Sequence, residues 1–242
     1  MRSGLSALVA TALLVGATGC ADDTDGTLVV FAAASLTDAF ADIGEAFEAA
    51  NPGVEVQFNF ASSSDLARQV VEGAPADVYA SADLRNMDRV VEADRFVDPV
   101  VFATNRAEII VAPGNPLALG GLADLAAPEL VVVLCAPEVP CGAYAEQVFD
   151  RAGVAVTPDS YEENVRAVVT KVTLGEADAG VVYATDIAGV DADGVEIPAD
   201  VNVIAAYPIA AVSDADGAAS FVEFVTGPGG QDVLAAYGFG PP

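Results

Sequence analysis

Two periods of apolar residues take turns along the chain. "LVVFAA", from Leu28, is an unbroken apolar run suited to a strand buried on both faces. In the next segment Leu36, Phe40, Ile43 and Phe47 recur at spacings of four and three, which puts them on one stripe of a helix. "NPG" at 51–53 stops that helix. Val54, Val56, Phe58 and Phe60 then alternate with polar residues, as in a strand with one apolar face. A second strand-to-helix turn follows in "ASSSDLARQVVEG", where Leu66 and Val70 lie one helical turn apart.

The alternation continues to the end. "ADVYASAD" predicts a short strand, the neighbourhood of Met87 and Val91 a short helix, and "AEIIVAP" at 107–113 another strand. "ELVVVLC" reads as a strand and 144–151 as a helix. Val165, Val168, Val169 and Val172 share one face of a further helix, and "AGVVYATD" is a short buried strand. Helices are expected again at 218–225 and 231–237. This is the element order of an α/β fold. No internal repeat or low-complexity linker divides it, and "VNVIAAYPIAAV" at 201–212 is long enough to cross between two lobes. The lobes are therefore expected to be discontinuous, residues 28–104 with 207–242 forming the first and residues 105–206 the second.

The amino terminus departs from this pattern. Arg2 is followed by an apolar run from Leu5 to Val15 and then by small residues ending in "ATGC". The run is shorter than the roughly 20 residues of a membrane-spanning helix and is similar to a bacterial lipoprotein signal peptide. That likeness implies a signal peptide at 1–19, lipidation of Cys20 as the first mature residue, and attachment to the outer face of the cell membrane. The acidic stretch after Cys20, through residue 27, is expected to be a solvated tether.

Charge and composition then narrow the chemistry. The 242 residues carry 36 acidic and 9 basic side chains, a formal net charge of −27, and no histidine. A phosphate backbone would be repelled, so nucleic acid is excluded as a partner. Without histidine there is no Ser-His-Asp triad and no imidazole-dependent metal site, and no Gly-x-Ser-x-Gly, Ser-x-x-Lys or Walker pattern is present. With 53% apolar residues the chain has ample material for a core.

What remains is a set of strand-to-helix turns. Ser35 stands three residues before Asp38, the spacing of a capping box, and is expected to cap the first helix. Ser62, Ser63 and Ser64 occupy the equivalent turn after the next strand, with Asp65 three residues beyond Ser62. Two serine-bearing helix starts at the carboxyl ends of neighbouring strands would aim unpaired amides and hydroxyls into one crevice, an arrangement suited to an anion. "VPCGAY", "NVRAVV" and "VVYATD" add a Pro-Gly turn, another helix start and a tyrosine at a strand end. None is specific alone.

In order, "VFAAASLTDAF", "FASSSDLARQVVEGAPADVYASAD", "VPCGAYAEQVF", "NVRAVV", "GVVYATD", "YPIA" and "YGF" resemble the molybdate-binding proteins of bacterial ABC importers, over nearly the whole chain beyond the tether. The resemblance implies an α/β, type II periplasmic-binding-protein fold: two lobes joined by crossing strands, closing over a tetrahedral oxyanion. It implies ligand contacts from Ser35, Ser63, Cys141, Val165 and Tyr183. It also implies a monomer without cofactor or catalysis that delivers molybdate, and tungstate of nearly equal size and charge, to a membrane permease. Cys141 departs from the family, which usually has alanine there and uses its backbone amide. Cys135 and Cys141, six apart in an extracytoplasmic chain, are expected to be bridged, with two buried thiols as the alternative that spacing leaves open. Other possibilities stay open at this point: the same architecture holding sulfate or ferric ion, a surface lipoprotein that binds a protein, or an enzyme with Ser35 or Ser63 as nucleophile. The six tyrosines are scattered, unlike ferric sites of this fold, and no suitable base stands at motif spacing from either serine.

Overall fold

The computed structural model describes residues 26–93 and 98–242. The expected signal peptide, Cys20 and most of the tether lie outside the described residues. The first half begins with β1 (Gly26–Ala33), a 3-10 turn (Ala34–Leu36), α1 (Thr37–Ala50), β2 (Val54–Ala61) and α2 (Ser63–Val71). β3 (Val78–Ala80), α3 (Leu84–Glu92) and the long β4 (Val100–Val111) follow. Next come β5 (Val132–Cys135), α4 (Pro140–Ala152), β6 (Ser160–Glu162), α5 (Val165–Thr173), β7 (Ala179–Tyr183), α6 (Ala184–Ile187) and β8 (Asp193–Glu196). The chain ends with β9 (Ile204–Ala211), α7 (Ala218–Thr226) and α8 (Pro228–Ala236).

Strand pairing decides where the turns go. β1 lies between β2 and β3 and is parallel to both, and β9 pairs antiparallel with β3. In the other half β5 lies between β6 and β7, again parallel to both. Parallel neighbours end at the same sheet edge, so the helices that follow them start side by side. β4 belongs to both halves: residues 100–106 pair with β9, whereas 107–111 pair with β7 and 108–111 with β8. The crossing strands β4 and β9 thereby set one carboxyl edge against the other.

Each half has its own apolar filling. Around Phe221, fully buried, the rings of Phe40, Phe47 and Phe58 sit edge-on at centroid distances of 6.2, 5.1 and 6.3 Å. In the second half Ile109, Val148, Val181 and Leu134 pack together. An apolar cluster also runs from one half to the other through Ala33, Val139, Val165, Tyr183 and Tyr207. The halves are packed face to face.

Four boundaries differ from expectation. β1 starts at Gly26 because Gly26 and Thr27 pair with Val54 and Glu55, so the tether is shorter than its expected end at residue 27. β4 starts at Val100 instead of 107, since its first part is held by β9, a partner far away in sequence. α4 starts at Pro140, not near Tyr144: proline fits a first helical turn, where its missing N–H is not needed. Gly142 is therefore helical, and a side chain there would collide with the Ala136 carbonyl oxygen and come within 2.6 Å of that of Cys135. α8 likewise starts at Pro228 instead of 231.

Phe221→Ala empties the centre of the aromatic cluster. We expect a loss of about 3–5 kcal/mol in unfolding free energy, measured by urea titration. An unchanged midpoint would show that the cluster is not the first half's core.

Candidate functional site

Five turns meet where the two carboxyl edges face. After β1 the chain enters the 3-10 turn, and Ser35 in that turn is half-buried. Its expected capping role is not what the structure shows, because α1 has no side-chain cap and Ser35 Oγ lies 3.0 Å from Tyr207 Oη. Asp38, the other half of the expected capping box, instead accepts from Arg166 at 2.7 Å. A local spacing motif could not anticipate partners supplied by β9 and α5.

After β2 the expected cap does form. Ser62 accepts the Asp65 N–H at 3.2 Å and donates to the Asp65 carboxylate at 2.8 Å, which pulls that carboxyl below its usual range. Ser63, the first residue of α2, is buried, and its Oγ accepts the Ala82 N–H at 2.9 Å. With its acceptor side taken by a backbone amide, its proton is free to point elsewhere.

In the second half, Cys141 sits in the first turn of α4 and is disulfide-bonded to Cys135 at the end of β5. The bridge and the close approach at Gly142 tie strand end to helix start. Asn164 caps α5 by accepting the Ala167 N–H at 3.1 Å, leaving Val165 as the first helical residue. Tyr183 ends β7, and its neighbour across the ladder is Ala107 on β4. The first amides of a helix have no carbonyl behind them to bond, and the helix dipole makes that end positive.

Ser35, Ser63, Cys141, Val165 and Tyr183 line one cavity, together with the caps Ser62 and Asn164, opening on about 200 Å³ of atom-free space. No lining residue is charged. The hydroxyl of Tyr183 is fully buried, and among the described residues it is the buried side-chain polar atom without a hydrogen-bond partner. Burial pushes its pKa well above the ordinary tyrosine value, reinforced by Tyr207, Tyr144 and the charges of Asp83 and Asp186. It therefore stays a proton donor. A wall of neutral donors in a positive field can hold an anion but offers no nucleophile–base pair.

Residues 28–240 match the family described as bacterial extracellular solute-binding protein. The chain belongs to that family. It is 43% identical to the molybdate-binding protein ModA of Mycobacterium bovis, over 99% of this chain and 98% of that relative. Its structure is similar to the periplasmic molybdate-binding protein of Azotobacter vinelandii, with a TM-score of 0.74 and 20% identity over 89% of this chain and 99% of that one. The sulfate-binding protein SubI of Mycobacterium tuberculosis superposes with a TM-score of 0.80 and 20% identity, over 89% of this chain and 87% of that one. These two likenesses show the fold, an α/β type II periplasmic-binding-protein fold.

Beyond the five residues, the cavity rests on groups that pattern reading did not single out. Tyr207 and Asn105 lie behind Ser35, and the Ala82 amide behind Ser63. "YPIA" was visible as a motif, but nothing in its composition shows that its tyrosine reaches a serine 172 positions away. Asp186 lies behind Tyr183, whose N–H it accepts at 3.0 Å. Burial raises its carboxyl from 3.8 to about 7; that N–H and Arg166 lower it, and Asp38 raises it.

The sign of its linkage follows. The unfolded carboxyl ionises near 3.8 and the folded one near 7, so the native state holds the extra proton between them. Stability falls as pH rises through that window and levels off above it. Asp186→Asn keeps an acceptor for the Tyr183 amide and removes the proton. The stability of the wild type relative to this variant should fall by on the order of 4 kcal/mol from about pH 4 to about pH 8. Parallel pH profiles in chemical denaturation would refute the assignment.

Proposed function

We propose that the protein captures molybdate in this cavity and hands it to the membrane permease of an ABC importer. The observation that carries the reading is the Tyr183 hydroxyl, a buried donor with no partner inside a ring of helix starts. Burying such a donor costs about 1–3 kcal/mol unless something accepts from it. A tetrahedral dianion accepts from it and from the hydroxyls of Ser35 and Ser63 and the amides at Cys141 and Val165. The 43% identity to a molybdate-binding relative supports molybdate as the dianion. Hydrogen bonds to a charged group contribute roughly 1.5–3 kcal/mol each, so five suffice for the roughly 8 kcal/mol of micromolar binding after association costs. No lysine or arginine is needed.

The rest of the reading follows from that site. Tungstate, with the same charge and nearly the same size, fits as well, and sulfate is too small to reach both walls at once. The lobes divide where β4 passes from one sheet to the other: residues 28–104 with 207–242, and 105–206. Closure of these lobes makes the form that the permease recognises. The protein acts as a monomer, without cofactor and without catalysis. A lipid on Cys20, after removal of residues 1–19, holds it at the outer face of the membrane, where the Cys135–Cys141 bridge persists.

Ser35→Ala and Ser63→Ala should each weaken molybdate binding about tenfold or more while leaving the ligand-free melting temperature within a few degrees. Calorimetry that finds unchanged affinity in both variants removes the site. Thermal shift with molybdate, tungstate, sulfate and phosphate ranks the ligands, and a protein whose melting temperature responds to none of them is not an oxyanion carrier.

A further inference from the structure

We propose that Tyr207 and Asn105, on the two crossing strands, fix the proton of Ser35 and thereby decide which oxyanions the cavity accepts. The inference rests on the oxyanion reading of the cavity and concerns two residues that do not line it.

The direction of each hydrogen bond is set by its neighbours. Asn105 Oδ1 accepts the Arg106 N–H at 2.9 Å, so the amide nitrogen faces the other way. Asn105 Nδ2 donates to Thr185 Oγ1 at 2.8 Å, and the same side chain favours negative charge on the Tyr207 oxygen, as a donor does. Asn105 has only N–H to offer there, and Ser35 Oγ is the hydrogen-bond partner of the buried phenol, so the Tyr207 proton needs Ser35 as its acceptor. The phenol proton then goes to Ser35 Oγ, 3.0 Å away. Tyr207 is fully buried, and burial keeps its hydroxyl protonated. Ser35, already accepting, turns its proton to the cavity. The relay runs from Asn105 to Tyr207 to Ser35 to the ligand, each donor polarising the next.

The other oxygens of the lining are committed in the same sense. Ser63 accepts from Ala82 and Asn164 from Ala167, whereas Ser62 both accepts from and donates to Asp65 and so gives the cavity no proton. Tyr183 has no other acceptor for its own proton. Ser35, Ser63 and Tyr183 therefore meet the ligand with protons. A fully deprotonated oxyanion matches them, whereas one that carries a proton, such as hydrogen phosphate, sets that proton against another. Tyr207 is a positioning residue. Removing its hydroxyl frees the Ser35 oxygen to accept, and the discrimination relaxes.

Wild type, Tyr207→Phe, Ser35→Ala and the double variant are titrated by calorimetry with molybdate, sulfate and hydrogen phosphate near pH 8, with ligand-free melting temperatures as a control on folding. Tyr207→Phe should weaken molybdate about five- to tenfold, the worth of one hydrogen bond. Hydrogen phosphate should gain on molybdate by at least tenfold, and the double variant should bind molybdate no more weakly than Ser35→Ala alone. Unchanged molybdate affinity, hydrogen phosphate that does not gain on molybdate, or losses that add in the double variant each overturn the relay. If Tyr207→Phe does not fold, Asn105→Ala, which lets the phenol turn and accept, must show the same change of preference, and its failure to do so overturns the relay equally. A wild type that binds none of the three anions overturns the oxyanion reading and the relay together. A wild type that binds molybdate, beside a Tyr207→Phe variant with intact affinity and preference, overturns the relay alone.

Discussion

Buried hydrogen-bond donors must find acceptors, and in this protein that requirement is concentrated at one place. Helices α1, α2, α4 and α5 all begin at the cavity, and the first amides of each lack an intrahelical partner. Tyr183 adds a hydroxyl with none. Side-chain caps satisfy some of these amides, Ser62 at α2 and Asn164 at α5, as Asp83 does at α3. The sheets bring the remaining donors together around the cavity. The parallel pairing of β1 with β2 and of β5 with β6 and β7, the proline start of α4, the glycine beneath it and the disulfide all serve to aim those donors at one point.

The rim shows what does not hold the halves together. Arg166 on α5 meets Asp38 on α1 at 2.7 Å, and Arg85 on α3 donates to the Glu138 carbonyl at 3.0 Å. The side chains of the ion pair are 40% and 55% exposed, and exposed pairs contribute about 0–1 kcal/mol. A two-state equilibrium moves only by the difference in a ligand's affinity for the two states. On the proposed reading, donors from both halves that share one anion supply that difference, since neither wall alone completes its coordination. The ion pair adjusts the balance and the cavity sets it.

Local pattern carried the longer strands and helices well because they announce themselves in their own apolar period, whereas the short β6, α6 and β8 carry no such period and were not anticipated. It carried the Ser62 cap too, since cap and acid lie within four residues. It failed where the partner is distant. Ser35 has the same spacing to an acid as Ser62, but its hydroxyl is claimed by Tyr207 and its acid by Arg166, 128 positions from Asp38. The start of α4 was hidden for a different reason: proline and glycine read as a turn, and only the carbonyls of Cys135 and Ala136 packed against Gly142 show why a helix needs them there. The site residues were legible as a set of strand-to-helix turns. That Tyr183 is an unpartnered donor is a property of burial, which no spacing expresses.

The acidity of the chain does not conflict with anion capture, because the two act over different distances. Most of the −27 charge sits on solvated carboxylates, whose field is screened within about 10 Å at 0.1 M salt. An acid placed directly behind the cavity is treated differently. Asp186 is buried, receives a backbone amide, and has its carboxyl raised to about 7, so near neutrality it carries about half a charge at most. A dianion arriving beside Tyr183 favours the protonated form further, by the same like-charge logic that raises one of two neighbouring carboxyls. The acid behind the site thus yields its charge as the ligand brings its own, and the amides and hydroxyls at the front keep an uncontested positive field.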